Sequence, residues 1–518
     1  MRTRIFLILS MMITTACTQN NAPQPGEVNV EYTPKHINLI RPIVEPEKIY
    51  RMSLWDSRYN YLPEEMAKMR NLRRLVLGNV EIKDWESSVG TIQKLHELRE
   101  LKITGASISK LHLNHLKLPK LEELDLFASN GYNLESEIIY LTKFPHLKSL
   151  VVAGMNVNQL PNNITSLENL EYFEFGDHNE GFDYSEALIL LSNLPKLKYL
   201  FFSIANIDNA LIEFQQLENI QKLGFYDCST NLDTIFKVAG QWKNLESLEL
   251  LSMDLIRLPD SFTGLQRLKS LSLYHNPDLD HASLFRQLAK LPHLEELDIS
   301  ETVDYQKDTL FHLPKEIGML KNLRKLEMEY MYRVDYANLI EQIKDLPHLE
   351  TLSLYNSQHY IKYFSDLRFH SFPASIKELK SLKNLDVGRT NVGIFENVEE
   401  LPELTSLNCS QIGFEPSIPK VVFNTTSLKS LNLNDCKLKE FPKGILKLKE
   451  LEHLDLGNNQ IRELPEAITQ LKNLKYLNLM GTIISTSQEK RDKIEKMLPN
   501  TLVFFGEYRA YDPDWMDK

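Results

Sequence analysis

Residues 428–473 carry almost the same 23-residue line twice, LKSLNLNDCKLKEFPKGILKLKE and then LEHLDLGNNQIRELPEAITQLKN. In each line, L-x-x-L-x-L reads as a short strand whose leucines point one way, because side chains alternate along a strand. The turn that follows holds Cys436 or Asn459, where a small polar group can satisfy backbone left unpaired by the bend. The F-P or L-P pair and the I-x-x-L ending then return the chain to the start of the next strand. One such line cannot bury its apolar face alone, so neighbouring lines must stack into a core that grows along one axis.

Strands with this signature start at Ile49, Leu72, Leu98, Leu121, Leu147, Leu170, Leu197, Ile220, Leu245, Leu268, Leu294, Leu323, Leu349, Leu382, Leu404, Leu428, Leu451 and Leu474, which makes about 18 units. The pattern resembles that of the leucine-rich repeat superfamily from Ile49 to Phe505. The resemblance implies an α/β solenoid, a horseshoe with a parallel β-sheet on its concave face and a mixed extended, 3₁₀ and helical convex face. Up to Leu294 the spacings alternate between 23 and 25–27 residues. The longer units hold helical returns such as SLFRQLAK (residues 283–290), so helices are expected at alternate repeats. Residues 49–500 form the array, residues 35–48 an N-terminal cap, and residues 501–518 a closing strand and tail.

The chain starts MRTRIFLILSMMITTAC, with Arg2 and Arg4 ahead of a short apolar run. This resembles a bacterial lipoprotein signal, which implies that residues 1–17 end at an acylated Cys17 and that the protein sits in the cell envelope, at the outer membrane or cell surface. Thr14 stands where that signal usually has leucine. Residues 18–34 are polar and proline-bearing, a tether. Cys228 and Cys436 share the turn position of Asn276 and Asn459, while Cys409 takes a core leucine position. Eight repeats separate Cys228 from Cys436, roughly 40 Å at the ~4.8 Å strand spacing, so both are expected to be buried and unpaired.

A net charge of −11, from 59 Lys+Arg against 70 Asp+Glu with no basic stripe, argues against nucleic acid as a partner. Nucleotide-binding, serine-hydrolase and zinc-protease motifs are missing, so neither an enzyme nor a cofactor is expected. His112 and His115 are too few to hold a metal, and Asp278 and Asp280, in NPDLDH, read as turn chemistry. The informative residues are those at the third, fifth and seventh positions, which face away from the leucines. On the concave face these include Glu123, Asp125, Phe127, Tyr172, Glu174, Tyr199, Phe201, Tyr226, Glu249, Tyr274, Glu296, Asp298, Glu327 and Glu329. Acids interleaved with aromatics suit a protein or peptide ligand, a basic one in particular. Long units near residues 303–309 and 358–370 add a second candidate, rim loops bearing Tyr305, Tyr332, Tyr336, Tyr360, Tyr363 and Phe364. The sequence therefore reads as an exported, lipid-anchored binding protein with a protein or peptide ligand. A glycan-binding accessory of an envelope system is the alternative.

Overall fold

The computed structural model describes residues 28–32, 47, 49–55, 58–105, 111–127, 137–154, 158–176, 181–304, 310–357, 370–390, 392–394, 397–414 and 418–505. The chain divides into two compact units, Met1–Asn156 and Val157–Lys518.

In the first unit, Ile49–Trp55, Arg74–Gly78, Glu100–Thr104, Glu123–Asp125 and Ser149–Ala153 pair in parallel, each with the next. Val28–Tyr32 adds a further parallel strand beside Ile49–Trp55. Its sequence, VNVEY, alternates apolar and polar residues at the strand period, so the tether expected over residues 18–34 contains part of the sheet. In the second unit the same ladder runs from Tyr172–Gly176 to the closing strand Leu502–Phe504. The leucines at positions 1, 4 and 6 of each repeat, such as Leu268, Leu271 and Leu273, form the core.

The returns largely follow repeat length. Longer repeats hold the α-helices Trp85–Ile92 in the first unit and Tyr184–Ser192, Leu232–Ala239, His281–Leu288 and Tyr336–Ile343 in the second. Each begins at an Asp or Asn whose side chain accepts the N–H three residues on: Asp84, Asp183, Asn231, Asp280 and Asp335. Shorter repeats hold 3₁₀ turns such as Asp260–Gly264, and the two longest, which begin at Leu294 and Leu349, hold them as well, in Lys315–Met319 and Ala374–Glu378. There Pro259 or Pro314 sets an extended entry that leaves room for only one tight turn. Between Leu121 and Leu147, a longer unit, the described return is instead the 3₁₀ helix Ile138–Lys143.

Three further regularities run from repeat to repeat. At position 5, Asp or Asn accepts the N–H two residues on, as in Asp298 from Ser300 (2.9 Å), Asp386 from Gly388 (2.8 Å) and Asp455 from Gly457 (2.8 Å). These Asx turns remove that N–H from the sheet, and the strands concerned are three residues long. Strands with Val76, Lys102 or Phe201 at position 5 run to five residues.

At position 8 every described repeat after the first is left-handed, from Asn79 (φ 51°) through Ile204 (φ 50°), Glu301 (φ 56°), Tyr330 (φ 54°) and Arg389 (φ 56°) to Gly481 (φ 68°). That conformation costs an L residue roughly 1–2 kcal/mol. It is held because the N–H at position 8 donates to the carbonyl at position 7 of the following repeat, as in Ile204 to Tyr226 (2.7 Å) and Tyr330 to Tyr355 (2.9 Å).

At position 2 acid and base alternate over stretches of the ladder, interrupted by Arg73 before Arg99, by Gln221 and by Thr405. In the first unit Glu122 lies 2.6 Å from Arg99 and 3.1 Å from Lys148. In the second, Arg324 lies between Glu295 (3.6 Å) and Glu350 (2.6 Å), and Glu350 also meets Lys383 (3.0 Å).

Candidate functional site

The turn position behaves as its residue types imply. Asn276 Nδ2 donates to the carbonyls of Leu250 and Leu273, both at 2.8 Å, while its Oδ1 accepts from Met253 and Leu255, both at 3.0 Å. Asn459 plays the same part, accepting from Cys436 (3.0 Å) and Leu438 (2.9 Å). Cys228 and Cys436 fill this position with thiols that reach carbonyls, Phe202 at 3.4 Å and Cys409 at 3.1 Å. Cys228, Cys409 and Cys436 are all free and buried. Burial pushes the Cys228 and Cys436 thiols up to about 12, so they stay protonated and unreactive.

On the sheet face of the first unit, Glu123, Asp125 and Phe127 are all buried, which takes them out of the candidate binding surface. Glu123 stands in register with Glu100, which lies 3.4 Å from both Arg74 and Lys102. Burial first, and then the charge of Glu100, push the Glu123 carboxyl up to about 8 against the opposing pull of Lys102 and Arg74. Asp125 is likewise raised by burial, and its Oδ1 accepts from the N–H of Phe127 at 3.0 Å. The cluster is enclosed, and Glu123 Oε2 is buried in it with no hydrogen-bond partner.

At the start of the second unit the candidate residues are again inward. Glu174 is 4% exposed and accepts from the hydroxyls of Tyr172 (2.9 Å) and Ser203 (3.0 Å). Phe201, 2% exposed, lies across Gly224, where an added Cβ would come within 1.9 Å of its ring. Tyr172 and Tyr226 are buried, Tyr199 is half-buried, and Glu249 is paired with Lys222. Facing away from the leucines is therefore not the same as facing water: neighbours one strand away cover one another.

The face opens further along. Glu296 is exposed, and Tyr274, Asp298, Glu327 and Glu329 are half-buried. Asp298 also accepts from Ser272 Oγ at 2.7 Å, Glu327 pairs with Lys325 at 2.9 Å, and Glu329 accepts from Ser353 Oγ at 2.6 Å. Burial raises Glu327 and pushes Glu329 up to about 7. The sequence pattern did not single out the groups beside them at positions 7 and 8. His275 Nδ1 stands 3.3 Å from Glu301 Oε2, and the rings of Tyr330 and Tyr355 meet edge to face with centroids 6.0 Å apart. The Glu301 carboxylate holds His275 above the usual histidine range.

Of the rim residues, Tyr336 is buried. It opens the helix Tyr336–Ile343, its hydroxyl donates to the Ser357 carbonyl at 3.0 Å and its ring meets Phe372, so it belongs to the core. The Asp335 N-cap just ahead of it was the overlooked signal. Tyr332 is half-buried, and Tyr305, Tyr360, Tyr363 and Phe364 lie outside the described residues, as does Cys17. His112 Nδ1 lies 3.1 Å from Glu137 Oε1, and Asp280 caps a helix and pairs with Arg257 at 3.1 Å. Among the described residues no group of three or more His, Cys, Asp or Glu stands close enough to hold a metal ion.

Two family models match the chain, one described as a leucine-rich repeat region over residues 57–242 and one as leucine rich repeat over residues 426–484. The chain is a leucine-rich repeat protein. Among relatives, this leucine-rich repeat chain is 27% identical over 246 residues to the volume-regulated anion channel subunit LRRC8A of Mus musculus, covering 40% of this chain and 30% of that protein; the Homo sapiens protein matches equally. It is 28% identical over 209 residues to the putative disease resistance protein RGA1 of Solanum bulbocastanum, covering 38% and 19%. The chain thus spans less than a third of the length of these relatives. Solved structures that match the chain include the Leptospira interrogans LRR protein LIC12759 (22% identity, 89% of this chain and 97% of that one, TM-score 0.31) and the plant peptide hormone receptor RGFR1 in complex with RGF2 (16%, 89% and 82%, TM-score 0.34).

Proposed function

We propose that this is an exported, lipid-anchored protein that binds a basic segment of a protein or peptide on the sheet face between Leu268 and Tyr355. The observation that carries the reading is the accessible set Glu296, Asp298, Glu327 and Glu329 on adjacent strands, beside the Tyr330–Tyr355 pair. Lys325, the cation among them, is already engaged by Glu327, so the surplus charge is negative. Such a surface steers and orients a cationic partner. Export and anchoring rest on the Arg2/Arg4 n-region, the short apolar run ending at Cys17 and the polar residues after it.

The binding half is tested with the full chain in detergent and a labelled 12-residue peptide alternating arginine with serine. Changing Glu296, Glu327 and Glu329 together to glutamine removes their charge and should weaken binding at least tenfold and flatten its salt dependence, while Asp298 is left unchanged because it accepts the Ser300 N–H. Unchanged affinity, or binding to arrayed glycans with none to peptides, overturns the reading. For the anchor, mass spectrometry of the membrane fraction should find an acylated Cys17 as the first residue, and Cys17→Ala should release the protein. A soluble product beginning at another residue counts against it.

A further inference from the structure

The left-handed position 8 is occupied in two different ways. In the first unit it holds Asn79, Gly105 and Gly154, and near the end of the second it holds Asp435, Asn458 and Gly481, residue types that adopt this conformation readily. Between these, in the second unit, it holds Ile204, Ser252, Glu301, Tyr330, Arg389 and Gln411, which do not. Asp227, His275 and Asn356 complete that stretch and are tolerated types. The backbone hydrogen bond to the following repeat is the same in both kinds, so a glycine would serve the fold equally well. The larger side chains do little for the core: Ile204 is 40% exposed, and Glu301, Tyr330 and Arg389 are half-buried. The repeat requires the left-handed backbone but not a side chain on it, so a bulky residue kept where glycine would be unstrained points to use of the side chain itself.

Where these side chains gather, they make a recognisable chemistry. Tyr330 and Tyr355 form an edge-to-face pair, with the Glu329 and Glu301 carboxylates next to it in sequence and in the ladder. Glu301 N–H donates to the Glu329 carbonyl at 2.9 Å, which fixes these two acids on adjacent repeats. Arg389, at position 8 beyond Tyr355, bounds the group with the opposite charge. A planar cation that stacks on an aromatic ring while its N–H fork meets carboxylates is a guanidinium; an ammonium satisfies only the charge.

We propose that this rim is a second wall of the binding surface and selects an arginine in the partner segment, received by Tyr330, Tyr355 and the Glu301 carboxylate. The proposal rests on the reading of the neighbouring sheet face as the site for a basic segment. It is tested with the full chain in detergent, using the arginine–serine peptide and a lysine–serine peptide of equal length. Wild type should bind the arginine peptide several-fold more tightly than the lysine one. Tyr330→Gly should melt no lower than wild type, since glycine adopts the left-handed backbone freely, and Glu301→Gln, which keeps a side chain beside His275, should melt close to it. Each should weaken arginine-peptide binding about tenfold, and Tyr330→Gly should abolish the preference over lysine. Asp435→Gly, at the same position outside the stretch, should leave both affinities unchanged. Rim variants that melt earlier yet bind as wild type would show a structural role and overturn the proposal. If the triple glutamine variant of the sheet face loses affinity while the rim variants keep it, the sheet-face reading stands and the rim falls. If the wild type binds neither peptide, both fall.

Discussion

Changing Glu123 to glutamine should stabilise the protein at pH 8 and have no effect at pH 4. The carboxyl is raised from 4.5 to about 8 in the folded chain, so between those values the folded state holds a proton that the unfolded state has released. Stability therefore falls as pH rises through that window, and wild type is at its best below about pH 4.5 with respect to this group. A tenfold difference in proton affinity between the two states corresponds to about 1.4 kcal/mol. Relaxation of the enclosed surroundings of the carboxylate absorbs part of that penalty, and a gain of about 2 kcal/mol is expected at pH 8. Glutamine has the shape of the protonated acid, so denaturant titrations at pH 4, 6 and 8 should show wild type losing stability stepwise while the variant does not. Parallel pH profiles for the two proteins would show that Glu123 is solvated.

Asn276→Ala and Asn459→Ala should each destabilise by about 4 kcal/mol, against less than about 0.5 kcal/mol for the exposed Asn473→Ala. Asn276 is fully enclosed and serves two N–H donors and at least two carbonyls at once, so its removal strands several buried backbone groups that water cannot reach. Asn459 is equivalent, with three carbonyls at 2.8–3.0 Å. Thermal melts of the three variants decide this. Losses of similar size at Asn473 and Asn459 would mean that the turn does not depend on its side chain.

The leucine register was legible in the sequence throughout, because a period of two on one buried face leaves no alternative register: Leu271 and Leu273 had to point inward once Leu268 did. Helices in the longer repeats were legible from residues such as 283–290, part of which forms His281–Leu288. The fate of Cys228 and Cys436 followed from the position they share with asparagine. What could not be read was exposure on the opposite face. Alternation places Glu123, Glu174 and Phe201 away from the leucines, but lateral cover depends on the neighbouring repeats, whose contributions a single line does not contain. The left-handed rim was invisible for a different reason. Tyr330 and Arg389 carry no local preference for positive φ, and a hydrogen bond to the next repeat imposes it.

The alternating charges at position 2 bear on how such a chain can change its length. Glu295, Arg324, Glu350 and Lys383 each sit against a partner of opposite sign. Loss of the single repeat that begins at Leu323 would bring Glu295 alongside Glu350, and would set two 3₁₀ returns side by side where a helix had separated them. Loss of that repeat together with the one before it would bring Lys269 alongside Glu350, restoring both the pairing of charges and the alternation of returns. In this region a change of two repeats therefore keeps unlike charges adjacent, whereas a change of one does not, so steps of two are the less costly. A natural length variant that differs here by one repeat, with the flanking charges unchanged, would count against that preference.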